Sequence, residues 1–365
     1  MRTILTILRE VRDPRDFNAR HALGAILFIA LAASLCGAKT CVDYADFGLS
    51  YEAELGEIVD LPHGSPSHDG FSRIFRLLDS AELTVALTRF SQAMRESLGL
   101  GVPAGVIAVD GKRLRRGYER GGAFMPPLMV SVWDAETRAS ITACRVPGGN
   151  EVCATLALLK APVLKGCIVT ADALHCHAAM AEAVLATGAD YALGLKGNAP
   201  LHKAAVAAFA RADAKGHLPI HETIDPAHDR EEWRCASVIE RPADAPDFPG
   251  LAAIGRIQSE RRCGDKLSTA TRYVALSAVL TPVSLLQTVR AHWSIENNLH
   301  WQQDVSFNED NARTRKDNAP QNIAIIRRIA LDMLKAHPDK RSIARKMKLA
   351  SWKKEFFFEL FAYMQ

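Results

Sequence analysis

Three acidic residues stand at positions where carboxylates could do chemistry, although they are far apart in the chain. Asp110 closes the apolar run VIAVDG (106–111), and Asp172 closes the run CIVTAD (167–172). A carboxylate at the end of a buried strand is poorly solvated and needs a partner. Asp-Gly is also a common turn pair, so each aspartate taken alone fits a turn-capping role at least as well.

The third acid, Glu296, lies in the polar and aromatic stretch HWSIENNLHWQQDVSFNED (292–310), whose pattern is helical. His292, Glu296 and His300 follow one another at i, i+4 and i+8, so they share one face of the helix. About 12 Å of helical rise separates the two histidines, which is too far for both to bind one metal ion. Glu296 is therefore either a solvated surface acid or one ligand of a site completed by distant parts of the chain.

Taken together, the three acids predict a metal site for phosphate chemistry. Ligand sites of open α/β sheets lie at the carboxyl ends of strands, and two carboxylates placed there repel unless a cation lies between them. Two strand carboxylates and one from a later helix make an oxygen site suited to Mg²⁺ or Mn²⁺, which can activate water or a hydroxyl to attack a phosphodiester. We predict Asp110, Asp172 and Glu296 as metal ligands and catalytic residues.

The elements that must position these acids change in character along the chain. Residues 1–100 carry apolar runs at helical spacing and predict a helical N-terminal domain. Strand and helix patterns follow one another from about residue 104, which predicts an α/β fold with a mixed sheet flanked by helices, in a domain of residues 101–340. Residues 215–281 read as a β-rich insertion, and residues 341–365 as a basic and aromatic C-terminal tail.

The composition is that of a globular protein, with 365 residues, 48% of them hydrophobic and 24% charged. The apolar residues 22–38 are at the lower limit for a membrane span, but their alanine and glycine content favours a buried helix. Eight cysteines without a CxxC motif indicate free thiols in a reducing compartment. Residues 175–177, His-Cys-His, have no second ligand pair and are only a weak zinc signal. We expect a cytoplasmic protein with no membrane partner.

Basic residues are concentrated in two places, although the formal net charge is only +4. Residues 313–354 hold 13 Lys or Arg against 3 Asp or Glu, and residues 112–116 hold one lysine and three arginines. Basic patches attract polyanions, nucleic acid above all. A solvated helix face explains the longer segment equally well.

The motifs, in this order, resemble a known family. The chain is similar over nearly its whole length to the DDE transposases of bacterial insertion sequences, in the H-repeat-associated (ISAs-type) group. The resemblance is carried by the motifs LPHGSPSHDGFSRIF (61–75), IAVDGK (107–112), VTADALH (169–175), DYALGLKGN (190–198) and the 292–310 stretch. The chain departs from the family at His177, where glutamine is frequent, and at residues 228–231, where HDRE replaces HGRE.

The resemblance implies an RNase H-like fold with a β-rich insertion and the acidic triad Asp110, Asp172 and Glu296. It implies a DNA transposase that uses Mg²⁺ (or Mn²⁺) to cleave insertion-sequence ends and to transfer the strand into target DNA. Its partners would be double-stranded DNA, as terminal inverted repeats and target, and a second copy of the chain when bound to DNA. An RNase H-like nuclease without strand transfer and a non-catalytic DNA-binding derivative remain open.

A set of basic and aromatic residues is predicted to contact DNA. Related transposases carry a phosphate-binding arginine and lysine on the glutamate helix; Arg290 is the candidate arginine, and no lysine follows Glu296 at the expected distance. Trp293 and Trp301 could stack on an unpaired base, although helix tryptophans more often belong to the core. The predicted DNA contacts are Lys112, Arg113, Lys196, Asn198, Arg290, His300, Trp301, Arg313, Arg315 and Lys316.

Overall fold

A single sheet runs through the protein, whose computed structural model describes residues 2–16, 19–118, 125–146, 148, 150–160, 162–196, 199–216, 218–227 and 230–362. Within these residues, nine strands lie in the order β3-β2-β1-β4-β5-β9-β8-β7-β6. They are β1 (Val106–Arg113), β2 (Leu128–Asp134), β3 (Ala139–Arg145), β4 (Ile168–Ala171), β5 (Asp190–Gly194), β6 (Ile220–Ala227), β7 (Arg230–Glu240), β8 (Ala253–Cys263) and β9 (Lys266–Leu276).

The first five strands have RNase H-like topology. β1, β2 and β3 form an antiparallel meander, and β4 and β5 continue the sheet parallel to β1. β2 is buried along its whole length, and β1 and β4 are mostly buried, because helices cover both faces of the sheet. The order of three antiparallel strands followed by two parallel ones confirms the predicted mixed α/β fold.

The β-rich insertion forms the other four strands, and it extends the sheet instead of standing apart from it. β9 pairs with β5 between Ala192–Leu276 and Gly194–Val274, in antiparallel sense. The ends of β8 and β9 nearest β5 are buried, whereas residues 260–263 and 266–272 are exposed. The distal part of the insertion therefore projects beyond the packed body of the sheet.

Helices lie on both faces of the sheet. The N-terminal helices are α1 (Arg2–Arg9), α2 (Leu23–Leu35), α3 (Cys41–Ser50), α4 (Glu52–Gly56), α5 (His68–Leu77) and α6 (Ser80–Ser97). Along the chain, the segments that connect β3 to β6 contain α7 (Glu151–Leu158), α8 (Ala178–Ala186) and α9 (Ala199–Lys215). After the insertion come α10 (Pro282–His292), α11 (Trp301–Val305), α12 (Ala319–Ala336), α13 (Ile343–Trp352) and α14 (Lys354–Ala362).

The N-terminal helices and the C-terminal helices share one hydrophobic core. α2 is buried from Leu23 to Leu35, as the sequence predicts, and no helix within the described ranges is long and apolar enough to cross a bilayer. Phe357 and Phe361 of α14 pack into the same core. The described part of the expected C-terminal tail is thus two packed helices, while the predicted domain boundaries stay predictions.

The basic excess of residues 313–354 is not one surface patch. Arg327 and Arg328 are buried in α12, and Arg327 Nη2 donates to the Lys39 carbonyl at 2.8 Å. Lys346 is also buried, and its Nζ donates to the carbonyls of Leu334 and His337 at 2.7 and 2.9 Å. These three cations stabilise the interior, so they contribute to neither a DNA-binding surface nor a solvated face.

Candidate active site

The parallel pairing of β1 with β4 brings two of the predicted acids close to each other. Ala108 pairs with Thr170 and Val109 with Ala171; Asp110 follows inside β1, which continues to Arg113, and Asp172 follows the last residue of β4. Because side chains alternate between the faces of a sheet, Asp110 projects on the face of Ala108 and Thr170. α10 packs on this face, where His292 Nδ1 lies 3.0 Å from Thr170 Oγ1.

Glu296 begins a π-helical turn, Glu296–His300, that joins α10 to α11. Such turns are rare and often occur at functional positions. His300 Nδ1 lies 3.4 Å from Glu296 Oε2 and 3.4 Å from Asp110 Oδ2. Within the described part of the chain, single ligand atoms of Asp110, Glu296 and His300 lie within 4.8 Å of one another, which is a spacing that one metal ion could bridge.

Asp172 lies beside this group and is not one of its members. Its side chain is exposed, and Oδ1 accepts a hydrogen bond from the Leu174 amide at 3.0 Å. This is the capping role that a turn aspartate would have, and it uses one of the two carboxylate oxygens. Its charge nevertheless acts on Asp110, since Asp172 is one of the groups that raise the pKa of Asp110.

The electrostatics of the site leave an uncompensated negative charge. Burial, together with the charges of Glu296 and Asp172, raises the pKa of Asp110 to about 6, although His300 acts in the opposite direction. The neighbouring His300 ring lowers the pKa of Glu296, although partial burial acts in the opposite direction. A buried carboxylate among other acids needs a compensating cation, and the protein's own groups do not supply enough positive charge.

Lys112, a predicted phosphate contact, is enclosed by carboxylates. Its Nζ donates to Asp304 Oδ1 at 2.7 Å and to Asp310 Oδ1 at 2.9 Å, and it lies 3.8 Å from Glu309 Oε2. Burial lowers the pKa of Lys112, but Glu309, Asp304 and Asp310 outweigh that effect and raise the pKa. At 8% exposure, this ammonium is not open to a DNA phosphate in this structure.

We refer to Lys112, Asp304, Glu309 and Asp310 as the Lys112 clamp. It ties α11 and the turn after it to β1, next to the strand position of Asp110. This arrangement could not be predicted from the sequence, because the clamp's lysine and its hydrogen-bonded acids are 192 and 198 residues apart. A lysine near an acid gives the same sequence pattern whether it faces a phosphate or a carboxylate.

The other predicted DNA contacts differ in their exposure and in the partners that their side chains already have. Arg290 is half-exposed and pairs with Asp225 of β6 at 2.9 Å, and Arg315 Nε donates to the Arg116 carbonyl at 3.1 Å. His300 is buried among the acids, and Asn198 lies outside the described residues. The predicted contacts that are exposed are Arg113, Lys196, Trp301, Arg313 and Lys316.

The two tryptophans beside the π-helical turn are on the surface, so the preference for a core position was wrong. Trp301 is 54% exposed, and Trp293 is exposed with the Arg272 guanidinium 4.9 Å from its ring centre. Both lie on the outer side of a segment whose inner side is filled by Ile295 and Leu299. The exposed ring of Trp301 could therefore stack with a base, whereas the Arg272 guanidinium already lies over the Trp293 ring.

The other cysteine and histidine signals are structural. His175 Nε2 faces Glu151 Oε1 at 3.3 Å, and His177 Nδ1 caps α8 by accepting from the Met180 amide at 3.2 Å. Burial raises the pKa of Cys176 to about 12, and all eight cysteines are free thiols. The weak zinc signal at residues 175–177 is thus not supported, and of the second family departure, residues 228 and 229 lie outside the described ranges.

Comparison with known proteins gives relatives along nearly the whole chain. It is 33% identical over 279 residues to the "Uncharacterized protein in dhlA 3'region" of Xanthobacter autotrophicus, covering 74% of this chain and 93% of that one. It is 28% identical over 374 residues to the "H repeat-associated putative transposase YhhI" of Escherichia coli (strain K12), covering 98% of this chain and 96% of the other. These matches confirm the resemblance to the H-repeat-associated group.

The chain also resembles a solved transposase complex and matches two family descriptions. A cryo-EM structure of the piggyBac transposase synaptic complex with hairpin DNA aligns with a TM-score of 0.40 at 13% identity, over 99% of this chain and 78% of that one, which is too weak to support an argument. Residues 5–91 match the family described as DDE_Tnp_1-associated, and residues 102–333 match the family described as Transposase DDE domain. The chain therefore belongs to the transposase DDE domain family.

Proposed function

We propose that this protein is a metal-dependent DNA transposase that cleaves insertion-sequence ends and joins the freed 3′-hydroxyl to target DNA. Membership of the family supports the class. The observation that carries the proposed reaction is the approach of Asp110 Oδ2 and Glu296 Oε2 to one point, from β1 and from the π-helical turn. Asp172 directly follows β4, the strand that pairs with β1.

The residues present fit a divalent cation. Asp110 is mostly buried, and its raised pKa means that the folded protein alone compensates its charge poorly. Carboxylate oxygens are the ligands that Mg²⁺ and Mn²⁺ take in proteins, so Asp110, Asp172 and Glu296 would hold the ion. When bound, the cation lowers the pKa of the attacking water or hydroxyl and offsets charge on the phosphate.

The chain's own residues position the ion and the DNA. Asp110 is fixed because β1 pairs on both sides, with β2 and with β4. Glu296 is half-exposed, so we expect it to adjust to the ion, and the Lys112 clamp keeps α11 next to β1. The exposed Arg113, Lys196 and Arg313 are proposed to hold the phosphate backbone, which positions DNA without reading its sequence.

Cleavage and joining on the element's own ends test this function. Labelled DNA carrying the inverted repeats that flank the gene should be nicked in Mg²⁺ or Mn²⁺, and joined products should appear with target DNA. Asp110→Asn and Glu296→Gln should abolish both steps, whereas Asp247→Asn, which changes a fully exposed acid, should not. Unaltered cleavage by Asp110→Asn would reject the function.

The same assay separates the alternatives. Cleavage without joined products would indicate an RNase H-like nuclease, and DNA binding without cleavage by the wild-type protein would indicate a non-catalytic derivative.

We also propose that two copies bind the paired ends and that the protein acts at the nucleoid, in the cytoplasm. Light scattering of the protein with and without DNA ends measures the number of copies.

A further inference from the structure

His300 occupies the centre of the acidic site, where the proposed function gives it no role. It was predicted as a DNA contact, but its side chain is only 7% exposed and faces the interior of the site. Its Nδ1 atom is 3.4 Å from an oxygen of Asp110 and 3.4 Å from an oxygen of Glu296. The His300 ring therefore lies against both carboxylates and not on a surface that a DNA backbone could contact.

These distances suit a shared ion better than two direct hydrogen bonds. Charge-assisted N–H···O bonds are about 2.7–2.9 Å long, and a single N–H can point at only one of the two oxygens. Neighbouring ligands of an octahedral ion with bonds of about 2.1–2.2 Å lie about 3.0–3.1 Å apart. A contraction of a few tenths of an ångström would therefore place Nδ1 next to each of the two oxygens in one coordination shell, and all three ligand atoms already lie within 4.8 Å of one another.

The second ring nitrogen points to the same interpretation. His300 Nε2 is buried and has no hydrogen-bond partner within the described residues. A neutral imidazole that carries its proton on Nε2 presents the Nδ1 lone pair to the two carboxylates. That arrangement is repulsive by itself and becomes favourable when a cation lies between the lone pair and the oxygens.

We propose that His300 is a nitrogen ligand of the catalytic cation, which it binds together with Asp110 and Glu296 while Asp172 binds from the exposed side. This inference rests on the proposed function of the site as a metal centre. Imidazole nitrogen is a poor ligand for Mg²⁺, which takes oxygen, and a better one for transition metals such as Mn²⁺. The site should therefore favour Mn²⁺ over Mg²⁺ by more than a site made of carboxylates alone.

Pulsed electron paramagnetic resonance of the full chain with one equivalent of Mn²⁺ tests this ligand directly. The wild-type spectrum should show the ¹⁴N coupling of a coordinated imidazole, and ¹⁵N-labelled histidine should change it. His300→Gln should remove the coupling. His68→Gln, which replaces an exposed surface histidine, should retain it. In calorimetry, His300→Gln should weaken Mn²⁺ binding about tenfold or more and Mg²⁺ binding by less.

The outcomes separate this inference from the proposed function. Mn²⁺ that binds the wild-type protein without ¹⁴N coupling would overturn the histidine ligand alone, and this result does not depend on whether a variant folds. Equal losses of Mn²⁺ and Mg²⁺ affinity in His300→Gln would overturn it as well. Mn²⁺ binding that Asp110→Asn leaves unchanged would instead reject the metal centre on which the proposed function depends.

Discussion

Replacement of Lys112 by methionine tests whether the buried clamp holds the catalytic segment on β1. Methionine keeps much of the apolar stem of lysine and removes the ammonium that contacts Asp304, Glu309 and Asp310. Asp304 and Glu309 would then lose their cation, and the cluster would keep only the Arg115 guanidinium, whose Nε lies 3.1 Å from Asp310 Oδ2. We expect α11 to move away from β1 and to carry Glu296, on the adjoining π-helical turn, away from Asp110.

The magnitude follows from the burial of the clamp. Removal of one partner from a buried ion pair costs about 3–5 kcal/mol, because the other charge is left unpaired. An exposed pair contributes only about 0–1 kcal/mol. Lys112 is 8% exposed, but Asp304 is 34% exposed and can be solvated by water. We therefore expect Lys112→Met to lower the free energy of unfolding by an intermediate amount, about 2–4 kcal/mol.

Urea unfolding of Lys112→Met and of the matched control Arg113→Met measures this loss at pH 8 and pH 5. Arg113 is the next residue of β1 and is exposed, so its replacement should change the free energy of unfolding by less than about 0.5 kcal/mol. Burial already raises the folded-state pKa of Asp304, and Lys112 opposes that rise, so removal of the ammonium raises the pKa of Asp304 further. The resulting loss in the free energy of unfolding is then present at high pH, and it declines as the pH falls through the raised folded-state pKa.

The loss caused by Lys112→Met should accordingly be smaller at pH 5 than at pH 8. Equal stability of the two variants at pH 8 would refute the clamp as a stabilising element. A loss that becomes larger at pH 5 would refute the explanation by unpaired carboxylates.

Three other variants probe single features of the site. Asp110→Asn should stabilise the metal-free protein at pH 8 by about 1–3 kcal/mol, because burial raises the Asp110 pKa to about 6; this gain should shrink between pH 6 and pH 4 in denaturation experiments. Trp301→Ala should weaken DNA binding in fluorescence anisotropy by about 1–3 kcal/mol without a matching loss of stability; unchanged binding would exclude stacking. Gly194→Ala would place a Cβ 3.2 Å from the Ala173 backbone nitrogen and should displace Asp172, lowering cleavage about tenfold or more; full activity would contradict a role for that loop.

The strand acids were predictable because their signal is local. Asp110 and Asp172 each close an apolar run, and the alternation of strands with helices predicts a sheet that brings such ends together. The sequence shows that His300 follows Glu296 at the helical i, i+4 spacing. It does not show that His300 is buried against Asp110. That contact depends on how α10 and the π-helical turn pack on the sheet, which no spacing within one segment specifies.

Exposure was the property that residue type predicted least well. Trp293 and Trp301 lie on the surface because Ile295 and Leu299 already fill the inner side of their segment. Arg327 is buried because α12 is enclosed on all sides, and a backbone carbonyl accepts from its guanidinium. Because α12 has packed neighbours on every side, the charge of a residue in it does not predict that residue's exposure.

Metal-catalysed cleavage of the protein itself tests directly whether Asp110, Asp172 and Glu296 bind one cation, as we propose. Fe²⁺ exchanged into the site, with ascorbate and hydrogen peroxide, produces radicals that cut the nearby backbone, and mass spectrometry locates the cuts. We expect cuts beside residues 110, 172 and 296 that excess Mg²⁺ suppresses and that Asp110→Asn abolishes. Cuts that omit residue 172, or cuts that Mg²⁺ does not suppress, would contradict a shared catalytic ion.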